Sequence, residues 1–293
     1  MKKRRNDTTD IISHLKKVLS KGPLYIAGPC SAESPTQVLE TARALSDLTP
    51  VHLYRAGIWK PRTKPGMFEG HGEKALPWLR EAEEQSGLIP CCEIGTAKQA
   101  IVAHSFGIRV VWIGARTSVS PFTMDEIARI IAKIDLVVLL KNPVCPDLPL
   151  WLGAEERLKK AGCRMIIPVH RGFSLPQGAS PYRNAPLWSL TEKLQRLRPD
   201  LPLLCDPSHI AGDVGLIRQI CKKAALSGFR GLMAEVHCRP KTALTDSHQQ
   251  LTPAQFAKLL SHLKWPRPWQ ESSAGWPGAA FSEETINKQV GGV

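Results

Sequence analysis

No stretch of this 293-residue chain approaches the roughly 18 consecutive apolar residues that a membrane span requires, and no membrane role is expected. The start, Met1-Lys2-Lys3-Arg4-Arg5-Asn6, is basic but leads into no apolar segment of the signal-peptide kind. The eight cysteines include no CxxC pair. Cys91, Cys92 and Cys205 lie in apolar runs and Cys221 in a helical one, the usage of reduced thiols in a cytoplasmic protein rather than of a disulfide framework. No G-x-G-x-x-G turn is present, which counts against a dinucleotide-binding sheet. Acidic residues are in deficit, 26 against 39 Lys and Arg, for a formal net charge of +13. Such an excess suits nucleic acid or anionic small molecules. No nucleic-acid motif accompanies it, and several cations stand singly at the ends of apolar runs, so small anions are the expected partners and nucleic acid is not.

What the chain does have is a repeated alternation. Strand-like runs cover Leu24–Ala27, Val51–Ile58, Leu88–Ile94, Val110–Ala115, Leu136–Lys141, Met165–His170, Leu201–Cys205 and Gly231–Val236. Between and after them, apolar residues at i, i+3 and i+4 mark helices at Thr36–Leu45, Glu73–Gln85, Ala97–Phe106, Met124–Ala132, Gly153–Lys160, Leu187–Leu197, Val214–Leu226 and Pro253–Leu263. Thr123 reads as a helix cap. Eight alternations over about 250 residues predict a single (β/α)₈ TIM barrel, with an open doubly wound sheet as the alternative. Pro168 inside the sixth run predicts a bulge or a shifted boundary, because proline removes a ladder donor. Residues 1–20 read as a polar lead-in with a short amphipathic piece, Ile11–Leu19. Residues 21–264 read as the barrel, and residues 265–293, rich in Pro, Gly, Ser and Trp, as an irregular tail.

The strand ends carry the chemistry. Cys30, Arg55, Glu93, Arg116, Lys141, Arg171, His209 and Glu235 each follow or close an apolar run, and in a barrel all those ends open onto the face where active sites lie. Cys30, His209, Glu235 and Asp246 combine a thiolate, an imidazole and two carboxylates, a donor set suited to a divalent transition metal ion rather than to calcium or magnesium. Glu235 interrupts an apolar strand and would be buried unpaired without such a role. His237, two residues on, is an alternative ligand or a group supporting one. Arg55, inside the second run, needs an anionic partner; Glu93 is one candidate, an anionic ligand the other. In Lys60-Pro61-Arg62-Thr63 a proline stiffens the backbone between two cations, and Arg62 with Thr63 is suited to grip a phosphate.

At these residues the chain resembles the 3-deoxy-D-arabino-heptulosonate 7-phosphate (DAHP) synthases, on the branch related to the octulosonate 8-phosphate synthases. The resemblance runs from about Leu24 to Lys264. It rests on Ala27-Gly28-Pro29-Cys30-Ser31, Arg55-Ala56-Gly57 with Lys60-Pro61-Arg62-Thr63, Trp112-Ile113-Gly114-Ala115-Arg116, Lys141-Asn142-Pro143, His170-Arg171-Gly172, Asp206-Pro207-Ser208-His209 and Glu235-Val236-His237. It implies a barrel that condenses phosphoenolpyruvate with erythrose 4-phosphate, the first step of the shikimate pathway. It places the metal on Cys30, His209, Glu235 and Asp246, phosphoenolpyruvate among Arg55, Lys60, Glu93, Arg116, Lys141 and Arg171, and the aldose phosphate on Arg62 and Thr63. Lys60 is the candidate proton carrier, with His209 and water on the metal as competitors.

Two other readings stand beside this one: an octulosonate 8-phosphate synthase using arabinose 5-phosphate, and a catalytically idle barrel that binds phosphorylated ligands or a partner protein. Relatives often carry an N-terminal regulatory domain or a fused chorismate mutase, and neither fits the lead-in or the tail. A homo-oligomer is expected; feedback control, if any, is expected from a separate chorismate mutase, another regulatory partner or a site without a recognisable motif, and Trp269 and Trp276 of the tail are suited either to cover an apolar patch or to dock a partner. Because strands one and eight are neighbours in a closed barrel, Cys238 is expected near Cys30, within reach of an oxidative crosslink.

Overall fold

The apolar runs fold as eight parallel strands: β1 (Leu24–Gly28), β2 (Leu53–Arg55), β3 (Ile89–Ile94), β4 (Val110–Ile113), β5 (Val137–Lys141), β6 (Ile166–His170), β7 (Leu204–Cys205) and β8 (Gly231–Glu235). They pair in sequence order, and β1 pairs with β8 in the register Leu24↔Gly231 to Gly28↔Glu235, which closes the barrel. The computed structural model describes residues 7–61, 64–176 and 178–265. Arg62, Thr63 and the tail tryptophans Trp269 and Trp276 lie outside the described residues. None of the described helices is long and apolar enough to cross a membrane.

Period-two alternation sends side chains to two different cores. Leu24, Ile26, Val110, Trp112, Val137, Leu139, Ile167 and Val169 fill the barrel interior. Tyr25, Ala27, Val111, Ile113, Val138 and Leu140 face outward and pack with the helices. Burial on both faces is why these strands read as unbroken apolar runs. The surrounding layer consists of α2 (Pro35–Leu48), α3 (Leu76–Ser86), α4 (Ala97–Ser105), α5 (Pro121–Ile134), α6 (Leu148–Ala161), α7 (Trp188–Leu197), the short α8 (Pro207–Ala211), α9 (Val214–Leu226) and α10 (Pro253–Ser261).

Helix α1 (Thr8–Lys21) is longer than its amphipathic piece suggests, and it has a structural task. Asp7 caps it by accepting from Thr9 N. Its stripe Ile11, Leu15 and Leu19 joins the interior cluster of the barrel. Thr8 Oγ1 donates to Asp135 O, just before β5, while Lys21 leads directly into β1. The helix therefore crosses the N-terminal mouth and seals it, leaving the C-terminal mouth as the open end.

Several element bounds differ from expectation, and three points have a plain physical reason. Strand β6 runs through Pro168 without a bulge, in the register Leu140↔Pro168. Met165 O and Val169 O accept from β5, so the even-numbered residues of β6 present their backbone groups to β7. Ordered β7 starts only at Leu204, so the donor missing at Pro168 lies below the ladder. That late start has its own cause, since Pro202 breaks the run Leu201–Cys205. Helix α5 begins three residues earlier than the Thr123 reading: Ser120 is the cap, accepting from Thr123 N, with Pro121 at the first helical position.

Candidate metal and phosphate site

Glycine shapes the entry to the site. Gly28, the last residue of β1, has φ 151°, and a Cβ there would lie 2.0 Å from Arg55 O. Only glycine lets β1 run this close to β2 and deliver Cys30 to the mouth. Cys30 is then fixed through its backbone, its N–H donating to Gln250 Oε1 at 3.0 Å. Gln250 Nε2 in turn donates to Thr245 O at 2.8 Å, and Ser31 Oγ lies 2.7 Å from Thr245 Oγ1. This lacing brings the loop after β8, with Asp246, over the end of β1.

Cys30, Glu235 and Asp246 present ligand atoms that all lie within 4.8 Å of one another. Cys30 Sγ is 3.3 Å from Asp246 Oδ2, and both Cys30 and Glu235 are fully buried. Sulfur and oxygen donors gathered this closely, with two carboxylates among them, are positioned to coordinate a divalent metal ion. His209 stands at the edge of the group, its Nε2 3.7 Å from Glu235 Oε1. Its other ring nitrogen, Nδ1, is 2.8 Å from Asp206 Oδ2, which orients the ring with Nε2 toward the cluster. Burial pushes the Cys30 thiol up to about 12, and Glu235 pushes the same way. A bound cation reverses that balance, because a coordinating thiol is held deprotonated.

His237 is not part of this group. Strand β8 ends at Glu235, so period-two alternation does not carry on to His237. Its Nδ1 accepts from Arg239 N at 2.8 Å, and its Nε2 faces Glu33 Oε2 at 3.7 Å. Cys238 also turns elsewhere: its N–H donates to Thr41 Oγ1 at 3.2 Å and its Sγ lies 4.0 Å from Gln37 O, both on α2. Cys30 Sγ instead meets Lys60 and Asp246. The two thiols thus have different hydrogen-bond partners. All eight cysteines are free.

The cations converge beside the cluster. A cavity of about 250 Å³ is lined by Arg55, Lys60, Arg116, Lys141, Arg171 and Arg183, together with Glu93, His209 and Asp246. That volume suits a small ligand. Arg55 is 1% exposed and pairs with Glu235 Oε1 at 3.1 Å, not with Glu93, and it lies over the Trp112 ring at 4.9 Å. Its Nε and Nη1 have no hydrogen-bond partner among the described residues. Two orphaned donors on a buried guanidinium at a cavity wall fit an anionic ligand. Lys60 Nζ donates to Cys30 O and to Cys30 Sγ, both at 3.1 Å. Burial disfavours its charge, but the fields of Cys30, Glu93 and Glu235 outweigh burial and raise its pKa, so Lys60 holds its proton.

Lys141 Nζ pairs with Asp206 Oδ2 at 2.7 Å, both side chains being buried. Arg171 Nη1 donates to Asn184 Oδ1 at 2.7 Å, and Arg171 N donates to Asn142 Oδ1 at 2.7 Å. Burial brings Arg171 down to about 10, Asp206 opposes this, and Arg183 and Arg116 add to it. Such mutual repulsion among cations is relieved by a shared anion. Arg116 Nη1 reaches Pro61 O at 3.4 Å, which ties the Lys60-Pro61 loop to this side of the cavity. Gly114 makes room for Glu93, since a Cβ at Gly114 would sit 2.1 Å from Glu93 Oε1.

The site also contains residues that strand-end reasoning does not reach. Asp206 and Asn142 were present in quoted motifs but carried no assigned role. Arg183, Asn184 and Gln250 sit in loops and Gln249 ends a single 3-10 turn (Ser247–Gln249), where no periodicity flags them.

The DAHP synthetase I family matches residues 19–267. The chain belongs to that family. It is 34% identical over 243 residues to the phospho-2-dehydro-3-deoxyheptonate aldolase of Thermotoga maritima, covering 82% of this chain and 68% of that protein. The crystal structure of the Thermotoga maritima enzyme superposes with a TM-score of 0.71 at 30% identity, covering 81% of this chain and 67% of that one. The 2-dehydro-3-deoxyphosphooctonate aldolase of Wolinella succinogenes is 26% identical over 269 residues, covering 82% of this chain and 97% of that protein. Membership of the DAHP synthetase I family brings a coarse function with it: an aldol-type condensation that uses a phosphoenol substrate at a metal site.

Proposed function

We propose that this chain is a metal-dependent DAHP synthase, which joins phosphoenolpyruvate to erythrose 4-phosphate and releases phosphate at the first step of the shikimate pathway. The reading includes a cytoplasmic homo-oligomer. The observation that carries it is the convergence, among the described residues, of six cations, the exposed Arg116 and Arg183 and four buried or half-buried ones, on a small cavity beside the Cys30, Glu235 and Asp246 cluster. One phosphorylated carboxylate needs about that many donors, and the metal cluster supplies the place for an aldehyde.

Cys30, His209, Glu235 and Asp246 would hold the ion, which when bound supplies Lewis acidity toward the aldehyde oxygen. The rest is work for the chain's own groups. Arg55, Lys60, Arg116, Lys141 and Arg171 bind the phosphate and carboxylate of the enol ester and hold its third carbon facing the aldehyde carbon, where the new bond forms. Water adds at the second carbon, and phosphate leaves with cleavage of its C–O bond. The aldehyde oxygen must gain a proton to become a hydroxyl, and the added water must give one up; Lys60, protonated and next to Cys30, is placed to deliver the first and to be recharged by the second. Glu93 lies on the same wall, where its carboxylate helps set the protonation of that lysine.

Two features support the four-carbon sugar: 34% identity to a heptonate enzyme against 26% to an octonate one, and the rigid Lys60-Pro61 step before Arg62. The octonate relatives keep the second reading open to test. Phosphate release should be measured with phosphoenolpyruvate and either erythrose 4-phosphate or arabinose 5-phosphate. Faster turnover with arabinose 5-phosphate would replace this assignment with the octulosonate one. No release with either would leave the idle barrel.

A further inference from the structure

We propose that Arg183 is a positioning residue for the metal centre, setting both carboxylates of the donor cluster, one directly and one through Gln249. The inference rests on the reading of Cys30, Glu235 and Asp246 as metal ligands and is independent of which aldose phosphate is used. Arg183 belongs to the connection between β6 and α7, far in sequence from β8. Its Nη1 donates to Asp246 Oδ1 at 3.0 Å and to Gln249 Oε1 at 2.6 Å. Gln249, 1% exposed, passes the contact on: its Nε2 donates to Glu235 Oε2 at 2.6 Å. One guanidinium nitrogen thus reaches both acidic ligands.

The arrangement of oxygens gives this contact its purpose. On Asp246, Oδ1 is taken by Arg183, which leaves Oδ2 facing Cys30 Sγ at 3.3 Å. On Glu235, Oε2 is taken by Gln249, which leaves Oε1 toward His209 Nε2 at 3.7 Å and Arg55 at 3.1 Å. Each carboxylate has one oxygen held from outside and the other presented to the cluster, which is how outer-shell partners orient metal ligands. The backbone gives a second, independent reason. Asp246 has φ 49°, a left-handed conformation costly for a non-glycine residue, which persists only where its surroundings over-determine it.

Arg183 is itself anchored. Its N–H donates to Ala211 O at 3.3 Å, and a Cβ on Gly212 would lie 2.5 Å from Arg183 Cβ. The next residue, Asn184, donates from Nδ2 to His209 O at 2.6 Å. The Arg183-Asn184 step therefore braces the carboxylates and the His209 backbone from one loop.

The test is cobalt binding by the full chain after chelator treatment, followed by equilibrium dialysis and by the thiolate-to-cobalt absorption band. The unmodified protein should take up Co²⁺ and show the band. Arg183→Gln should raise the Kd for Co²⁺ by about 10- to 100-fold, with partial recovery in Arg183→Lys. In a cycle with Asp246→Asn the two losses should be clearly less than additive, because both break one contact. A purely structural role for Arg183 would make them additive. Gln249→Met, which removes both amide contacts at similar volume, should weaken Co²⁺ binding in the same direction and carries the test if Arg183→Gln does not fold. Normal Co²⁺ affinity in folded Arg183→Gln or Gln249→Met, or full additivity in the cycle, overturns the proposal while leaving the metal site standing. No thiolate band in the unmodified protein would overturn both.

Discussion

Replacing Asp206 by Asn should damage stability and metal binding together, and the structure sets the size of each loss. Asp206 is fully buried and has three contacts: Lys141 Nζ at 2.7 Å, His209 Nδ1 at 2.8 Å and His209 N at 3.0 Å. Burial works against its charge, but His209 and Lys141 more than compensate and hold its pKa well below the usual carboxylate range. Asn keeps the shape and one acceptor but removes the charge, so the buried Lys141 ammonium loses its anion. Breaking a buried pair from one side costs about 3–5 kcal/mol. The retained acceptor puts the expectation near the lower figure, which is still a large part of the roughly 5–15 kcal/mol available to a typical domain. Because Asp206 also sets the His209 ring, metal affinity should fall about 10- to 100-fold.

Urea unfolding with chelator present isolates the first loss, and cobalt titration measures the second. Adding Lys141→Met to Asp206→Asn should restore part of the stability, since a buried pair removed from both sides costs less than one removed from one side. The pH dependence has a definite sign. A carboxyl depressed in the folded state contributes stability above its unfolded pKa of about 3.9 and loses it as pH falls below that value; Asp206→Asn should lack this component. A stability loss under about 1 kcal/mol, or strict additivity with Lys141→Met, would refute the claim that this pair is a coupled buried unit.

Chelation should abolish turnover and a divalent transition ion should restore it, while Cys30→Ala should be folded and inactive; full activity of that variant without added metal would remove Cys30 from the site. Arg62→Ala should raise the Michaelis constant for erythrose 4-phosphate by an amount equivalent to about 1.5–3 kcal/mol, with little change for phosphoenolpyruvate in the same steady-state assay. His170 is fully buried among Trp151, Phe173, Trp188 and Phe229, and burial lowers its pKa to about 3. Below an unfolded pKa near 6.5 the unfolded chain gains a proton that folded His170 refuses, so unfolding free energies should fall by about 1.4 kcal/mol per pH unit from this group, and an unchanged acid slope in His170→Leu would contradict that origin.

Residues are legible in this sequence where they conflict with their surroundings. Glu235 closes an apolar strand, Arg55 sits inside one, and Cys30 follows a Gly-Pro step, so each asks for a role that a surface charge does not need. Their mutual distances then follow from topology, because barrel closure sets Gly28 opposite Glu235. The same closure explains which carboxylate Arg55 meets. Period-two reasoning works along one strand and names no partner on another; Glu93 on β3 is one candidate by that reasoning, whereas the guanidinium reaches past β1 to Glu235 on β8. His237 fails for a related reason, as alternation stops where the strand stops. Arg183 and Gln250 lie in loops and Gln249 in a single 3-10 turn, and they act through side-chain amides and one guanidinium, with neither periodicity nor buried charge in an apolar run to announce them.

The charge of the mouth shows why those loops matter. Among the described residues, six guanidinium or ammonium groups line the cavity. Four carboxylates stand in or directly behind it, those of Glu93, Asp206, Glu235 and Asp246. The surplus of two positive charges is small because half of the cations are held by a carboxylate: Arg55 by Glu235, Lys141 by Asp206, Arg183 by Asp246. Each pair keeps its cation in place without ligand and leaves donors over, as the orphaned Nε and Nη1 of Arg55 show. The carboxylates that serve the metal are therefore also the counter-ions that pre-organise the anion site. A divalent ion would draw on the charge of Glu235 and Asp246, loosening their hold on Arg55 and Arg183 and strengthening the field those guanidiniums direct at an incoming anion. On this argument metal and phosphoenolpyruvate should bind with positive coupling, each tightening the other by the same factor, and titrations of phosphoenolpyruvate with and without Co²⁺ should show it. Equal affinities in the two titrations would mean that the two halves of the site, although they share Glu235, are energetically independent.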